Sequence, residues 1–109
     1  MKPKPVVLRR HAQADVEDAV DYYRAESGTA LAARFGTALE VAVRAIASHP
    51  AAGSPRYAHD LNLPGLRTRL LTRFPYLVFC VERDDHIDVW RVLHAKRDIP
   101  ASMQDPDAG

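Results

Sequence analysis

The chain has 109 residues, of which 47% are hydrophobic and 27% charged, with a formal net charge of +1. That describes one soluble globular domain with room for a modest core. No apolar run reaches the ~18 residues that a membrane-spanning helix needs, and the lone cysteine, Cys80, excludes a disulfide framework or a C-x-x-C metal site.

The charge is small but polarised. Lys2, Lys4, Arg9 and Arg10 stand at the start with no acid among them. Asp15, Glu17, Asp18, Asp21 and Glu26 come next, against Arg24 alone. Arg67, Arg69 and Arg73 then form a basic stretch. An acidic helix and a basic sheet edge favour a charged macromolecular partner.

Pro3 and Pro5 give an extended lead-in, and the basic opening lacks the apolar core of a secretory signal. Val6 to Arg10 reads as a short strand, which needs a sheet edge to hold it. From Ala12 the period turns helical: Ala12, Val16, Ala19, Val20 and Tyr23 make one stripe. Asp15, Glu17 and Asp18 are expected in its first turns, where the helix dipole favours anions. Gly28 is a stop, with Ser27 or Thr29 available to cap the next helix. That second helix runs from about Ala30 to Ser48, with Leu31, Phe35, Ala38, Leu39, Ala42 and Ile46 as its stripe, and Pro50 ends it. Residues 50–65, rich in proline and glycine, form a crossing loop with a turn of helix around Tyr57 to Leu61.

Leu66 to Arg73 alternates Leu66, Thr68 and Leu70 against Arg67, Arg69 and Leu71. This predicts a strand with one wet, cationic face, ending near Thr72 because Pro75 has no N–H for a ladder. Tyr76 to Val81 lacks polar alternation and suits a central strand covered on both sides. Ile87 to Leu93 lies across the polar Glu82–His86 segment, as the second arm of a tight antiparallel hairpin. The two helical stripes must bury their apolar sides on this sheet. The fold class is therefore α+β: a short N-terminal strand, a two-helix hairpin, then a three-stranded antiparallel meander. Residues 1–99 form the domain, and residues 100–109 are expected to be a flexible C-terminal tail.

Charged chemistry gathers at the strand ends, in Arg67, Arg69, Arg73, Arg91, His94, Lys96 and Arg97. Arginines two apart on a strand can grip phosphates or carboxylates. A strand-end His beside arginines could serve phosphodiester cleavage, with Tyr57 swinging over from the loop, yet no natural second acid or base accompanies it. A structural or partner-binding role for His94 stays open beside that one. His11, His49, His59 and His86 have no metal-ligand spacing, so no metal and no cofactor is assigned. Cys80 reads as a buried hydrophobe in a reducing cytoplasm, and Trp90 as core.

Five stretches together resemble the RelE/ParE superfamily of toxins. His49-Pro50-Ala51-Ala52-Gly53 is similar to its "hP..G" segment, and Leu63-Pro64-Gly65-Leu66-Arg67 to its "lpG.R" entry into the sheet. Phe74-Pro75-Tyr76-Leu77-Val78-Phe79 resembles "fpY.i.Y", and Arg91 to Asp98 resembles "RvlHg.RD". Ala14-Asp15-Val16 with Ala19-Val20-Asp21-Tyr22-Tyr23 resembles the first helix, so the likeness spans about residues 5 to 99. Cys80 and Ala95 depart from it, standing where many relatives carry Tyr and Gly. The ParE branch, or plasmid stabilisation toxins, is the nearest in wording.

That resemblance implies a toxin that inhibits DNA gyrase and is neutralised by a ParD-like antitoxin in a hetero-oligomer. It would meet operator DNA only through the antitoxin, in the cytoplasm and away from membranes. Arg67, Arg69, Arg91, His94, Lys96 and Arg97 are the candidate target- or antitoxin-binding residues, and no catalytic residue is implied. Two alternatives stand beside this. One is a ribosome-dependent mRNA endonuclease of the RelE type, using His94, Arg67, Arg97 and Tyr57. The other is an inactive toxin that acts only as an antitoxin-binding co-repressor.

Overall fold

Helical periodicity governs the first half of the chain. The computed structural model describes residues 3–103. Strand β1 (Val6–Leu8) leads into helix α1 (Arg10–Ser27), and α2 (Thr29–Ser48) folds back beside it. Gly28 joins the two helices at φ +82°, a conformation that side chains with a Cβ rarely adopt. Its N–H donates to Arg24 O at 2.9 Å. The start of α1 differs from expectation. It begins at Arg10, so its first turn holds no acid, and neither helix has a side-chain N-cap. Asp15 consequently falls a turn deeper, on the buried side.

A 3₁₀ turn (Pro50–Ala52) and the short helix α3 (Arg56–Asp60) cross to β2 (Leu66–Leu70), β3 (Tyr76–Glu82) and β4 (Ile87–His94). The sheet order is β1-β4-β3-β2, with β1 parallel to β4 and the others antiparallel. Thus β1 sits at an edge, as its brevity required. Strand β2 stops at Leu70, short of Thr72, because Arg73 turns left-handed at φ 69° and Leu71 N–H already bonds Tyr76 O across the turn at 2.9 Å.

Central strand β3 is covered on both faces. Tyr76, Val78 and Cys80 meet the helical hairpin together with Phe35, Ala42 and Ile46. Phe35 is fully buried, with ring centroids 5.1 Å from Tyr76, 5.4 Å from Phe74 and 5.5 Å from Tyr23. Each such aromatic pair adds about 0.5–1.5 kcal/mol beyond area burial. Phe79 and Val81 point the other way, into a second cluster with Leu66, Leu93, Ile99 and Met103.

Ile99 and Met103 correct the expected tail. Residues Ile99–Met103 form helix α4, with both side chains buried. They stand four apart, one face of a helix. Asp98 starts it, accepting from Ala101 N–H through Oδ1 at 3.2 Å and from Ser102 N–H through its carbonyl at 3.0 Å. Pro100 is tolerated because the first turn needs no internal N–H. A flexible tail beginning at 100 is therefore excluded for residues 100–103, while 104–109 lie outside the described residues. Trp90 is half-buried against the second cluster, as a core side chain.

Candidate functional site

The edge strand β2 places its arginines by register. Arg67 lies opposite Cys80 and Arg69 opposite Val78, so both stand on the hairpin side of the sheet, beyond the helices that cover Val78 and Cys80. Arg67 also donates from Nη1 to Gly53 O at 3.3 Å. Burial drives the Cys80 thiol up to about 11, and the two nearby guanidiniums only partly oppose it. Cys80 is therefore an inert hydrophobe at neutral pH. At the end of β2 Leu70, opposite Leu77 on the face away from the helical hairpin, is 60% exposed while Leu71 is buried in the hairpin-side core. The alternation holds, and Leu70 is left largely uncovered.

A groove of about 690 Å³ runs between α2 and the β2–β3 turn. Leu31, Ala38, Val41 and Phe74 make it apolar, and Arg34 and Arg73 stand at its rim. Val41, on its helical wall, is 50% exposed. Beside it, the loop before β2 pairs only Ser54 with Thr68, through bonds of 2.9 and 3.0 Å. A Cβ on Gly53 would come within 3.1 Å of Arg67 Cβ and 3.2 Å of Thr68 O, so a side chain here fits only if β2 gives way by a few tenths of an ångström.

Arg91 behaves differently from the other strand-end cations. It is 8% exposed. Its Nε and Nη2 donate to the two carboxylate oxygens of Asp15 at 2.8 and 2.9 Å, a bidentate pair, and Nη1 donates to Ser102 O at 2.9 Å. Asp15 also accepts the Val92 N–H at 2.9 Å. The cause is topological. Strand β1 covers β4 only from Ile87 to Val89, so the Val92 N–H would otherwise face no strand. A bulge at Phe79/Cys80 leaves Trp90 as an extra residue and re-aims the chain at that point. Arg91 thus belongs to the interior and is removed from the exposed binding rim that the sequence suggested.

His94 closes β4. Its ring packs edge-on to Tyr76 at 5.2 Å, and its Nδ1 accepts the Lys96 N–H at 3.1 Å. The neutral imidazole then carries its proton on Nε2. Burial raises the Tyr76 phenol above its ordinary value, and Tyr23 beside it adds to the rise. Lys96 and Arg97 are exposed in the turn after β4. Opposite them α1 presents His11, Asp15, Asp18 and Tyr22, spaced i, i+4, i+7 and i+11 on one face. Sequence reasoning passed over this polar stripe, although an acid at an inward position between Ala12 and Ala19 was a signal that it has a buried partner.

The four residues proposed for cleavage do not converge. Tyr57 packs against Phe79 at 5.4 Å in the second cluster, whereas His94 packs against Tyr76 on the hairpin face. Arg67 is separated from His94 by four residues along β3, ~13 Å, and by two strand spacings, ~10 Å. Among the described residues no group of His, Cys, Asp and Glu could hold a metal ion, and no helix is long and apolar enough to cross a membrane.

Comparison with known proteins agrees with this fold. No curated protein sequence matches the chain. A solved structure described as the "Chromosomal ParDE TA system from P. aeruginosa" superposes with a TM-score of 0.71 at 22% identity, covering 85% of this chain and 97% of that one. The α+β plan of strand, two long helices and meander is the same in both. Residues 6–99 match the family described as ParE toxin of type II toxin-antitoxin system, parDE. The chain belongs to the ParE toxin family of type II toxin–antitoxin systems.

Proposed function

We propose that this toxin disables DNA gyrase without being an enzyme, and that a ParD-like antitoxin silences it by filling the groove between α2 and the β2–β3 turn. The observation that carries the antitoxin half is that groove. Its floor is apolar, its rim is cationic, and Val41 on its helical wall is 50% exposed. An antitoxin segment that folds on binding needs such a combination: apolar anchors for affinity and carboxylates to meet Arg34, Arg69 and Arg73. The solved relative is described as a ParDE system, which supports a partner of the ParD type. Gyrase as the target rests on family membership and on Arg67, His94, Lys96 and Arg97, half-buried or exposed at the strand ends, which would make the contact.

A supercoiling assay tests the target. Excess toxin should stop gyrase and accumulate cleaved DNA, and adding antitoxin should restore supercoiling. Full supercoiling with no cleaved complex sinks the gyrase reading. Arg67→Ala and Arg97→Ala should each reduce toxicity while leaving the fold intact, because Arg97 is exposed and the Arg67 bond to Gly53 O is long at 3.3 Å. The ribonuclease alternative gains no support from the separation of Tyr57, His94 and Arg67, and intact transcripts in arrested cells would dismiss it. Unimpaired growth on expression without antitoxin would favour the co-repressor reading.

A further inference from the structure

A polar cleft separates α1 from the end of β4, and neither the groove nor the gyrase reading uses it as a unit. Its α1 wall is Asp18 and Tyr22, its other wall is His94 and Arg97, and Ala19 and Val92 form the floor. The volume is about 190 Å³. A second hollow of about 200 Å³ continues it past Arg97 toward His11. Two charges at the cleft already neutralise each other, because Asp15 and Arg91 are paired beneath it. The other two do not. Among the described residues neither the Asp18 carboxylate nor the Arg97 guanidinium holds an ion pair or side-chain hydrogen bond, and they do not reach each other across the opening.

We infer that this cleft is a subsite for a single guanine nucleotide, with Asp18 reading the base edge, Tyr22 and His94 lying against its faces, and Arg97 holding the phosphate. The chemistry comes from the inventory of groups. An ionised carboxylate is an acceptor only, with two oxygens in one plane. Guanine presents N1–H and N2–H as two parallel donors, which a carboxylate can accept together. Adenine presents one donor beside a ring acceptor, and that acceptor meets the carboxylate with repulsion. A guanidinium is the side chain best shaped for bidentate phosphate binding. Tyr22 is 55% exposed at the mouth, and its ring meets Tyr23 edge-on, with centroids 5.3 Å apart. An open aromatic face stacks on a base, worth about 1–3 kcal/mol by alanine substitution in single-strand binders.

The surroundings limit the ligand's size. Glu17 stands exposed on α1 beside the cleft and would repel a continuous phosphate chain, while Asp21 lies 3.5 Å from Arg24. The occupant is therefore one nucleotide or a strand end rather than a duplex. Its recognition depends on the cleft alone, so it stands or falls independently of the gyrase target.

The test is a titration of the purified full chain with GMP, AMP and inorganic phosphate, followed through amide shifts in NMR. GMP should saturate, shift Ala19, Tyr22 and His94, and bind at least tenfold tighter than AMP or phosphate. Asp18→Asn should bring the GMP-to-AMP ratio close to one, weakening GMP and strengthening AMP, because the amide offers adenine a donor where the carboxylate repelled it. Tyr22→Leu should weaken both nucleotides by a similar factor. Both side chains are exposed, so the amide spectrum should otherwise be preserved. Absence of saturable GMP binding overturns the inference. So does equal affinity for GMP and AMP, equal affinity for phosphate alone, shifts confined to residues 67–73, or a preference for guanine that survives Asp18→Asn.

Discussion

The two flanks of the sheet carry the same raw material and use it in opposite ways. On the β4 flank, Arg91 finds a carboxylate on α1 and a carbonyl on α4, and the strand edge is sealed. On the β2 flank, Arg67 finds only the Gly53 carbonyl at 3.3 Å, Arg73 lies at the rim of an apolar groove, and Leu70 is left uncovered. Arginine is thus no marker of a binding surface by itself. What decides is whether the fold brings an acid within reach. Where it does, the guanidinium becomes structural. Where it does not, the cation and its apolar neighbours remain available to another molecule.

The largest expected effect lies on the sealed flank. Asp15→Ala removes the paired carboxylate from a buried guanidinium and the acceptor from the Val92 N–H, and should cost about 3–5 kcal/mol of stability in a denaturant titration. If the variant melts like the parent, Arg91 is not held in the way described. Gly53→Ala probes the point where a loop backbone touches β2. A Cβ there meets Arg67 Cβ at 3.1 Å, and relieving that contact should cost about 1–3 kcal/mol, measured the same way.

Effects on the open flank should be small for stability and large for binding. Val41→Glu should change stability by less than about 0.5 kcal/mol, since the side chain is 50% exposed on the groove wall. It should nevertheless weaken antitoxin binding at least tenfold by calorimetry. Equal antitoxin affinity would move the docking face elsewhere.

The smallest effect is at the β3–β4 turn. His86 bonds Asp85 through Nδ1 at 2.6 Å and Asp88 through Nε2 at 3.1 Å. The bond to Asp85 chiefly raises the imidazole above 6.5, with the nearby carboxylate charges of Asp88 and Asp85 assisting against desolvation. A raised value means that the histidinium stabilises the folded turn below pH 6.5, and that this contribution fades as pH rises through the folded value. The partner carboxyl of Asp85 is lowered below 3.8, mainly by the His86 bond, so its share is present above 3.8 and is lost as pH falls through the folded value. An NMR titration should place His86 above 6.5, and Asp85→Asn should bring it back down.

Most of the fold was legible because its signals are local. The stripes of α1 and α2, the two-faced apolar run of β3 and the breaks at Gly28 and Pro50 are each written within a few residues. Helix α4 was missed because Pro100 and a polar surround outweigh two apolar residues in any local reading. It is held by burial of Ile99 and Met103 and by a bond from Arg91, which the segment's own sequence does not contain. The candidate site was legible in part. Arg67, Arg69, His94 and Arg97 do stand near the surface, but the groove residues of α2 and the Asp18–Tyr22 wall were read only as helix faces.

The order of elements through β4, the α+β class and the family were settled by the sequence itself, since periodicity and short motifs depend on neighbours along the chain. Which cations are paired inside and which face outward was settled only in three dimensions. Asp15 and Arg91 are 76 residues apart, and no local pattern announces that one will neutralise the other. That pairing exists because β1 is too short to cover β4, and a carboxylate from the adjoining helix satisfies the edge that remains.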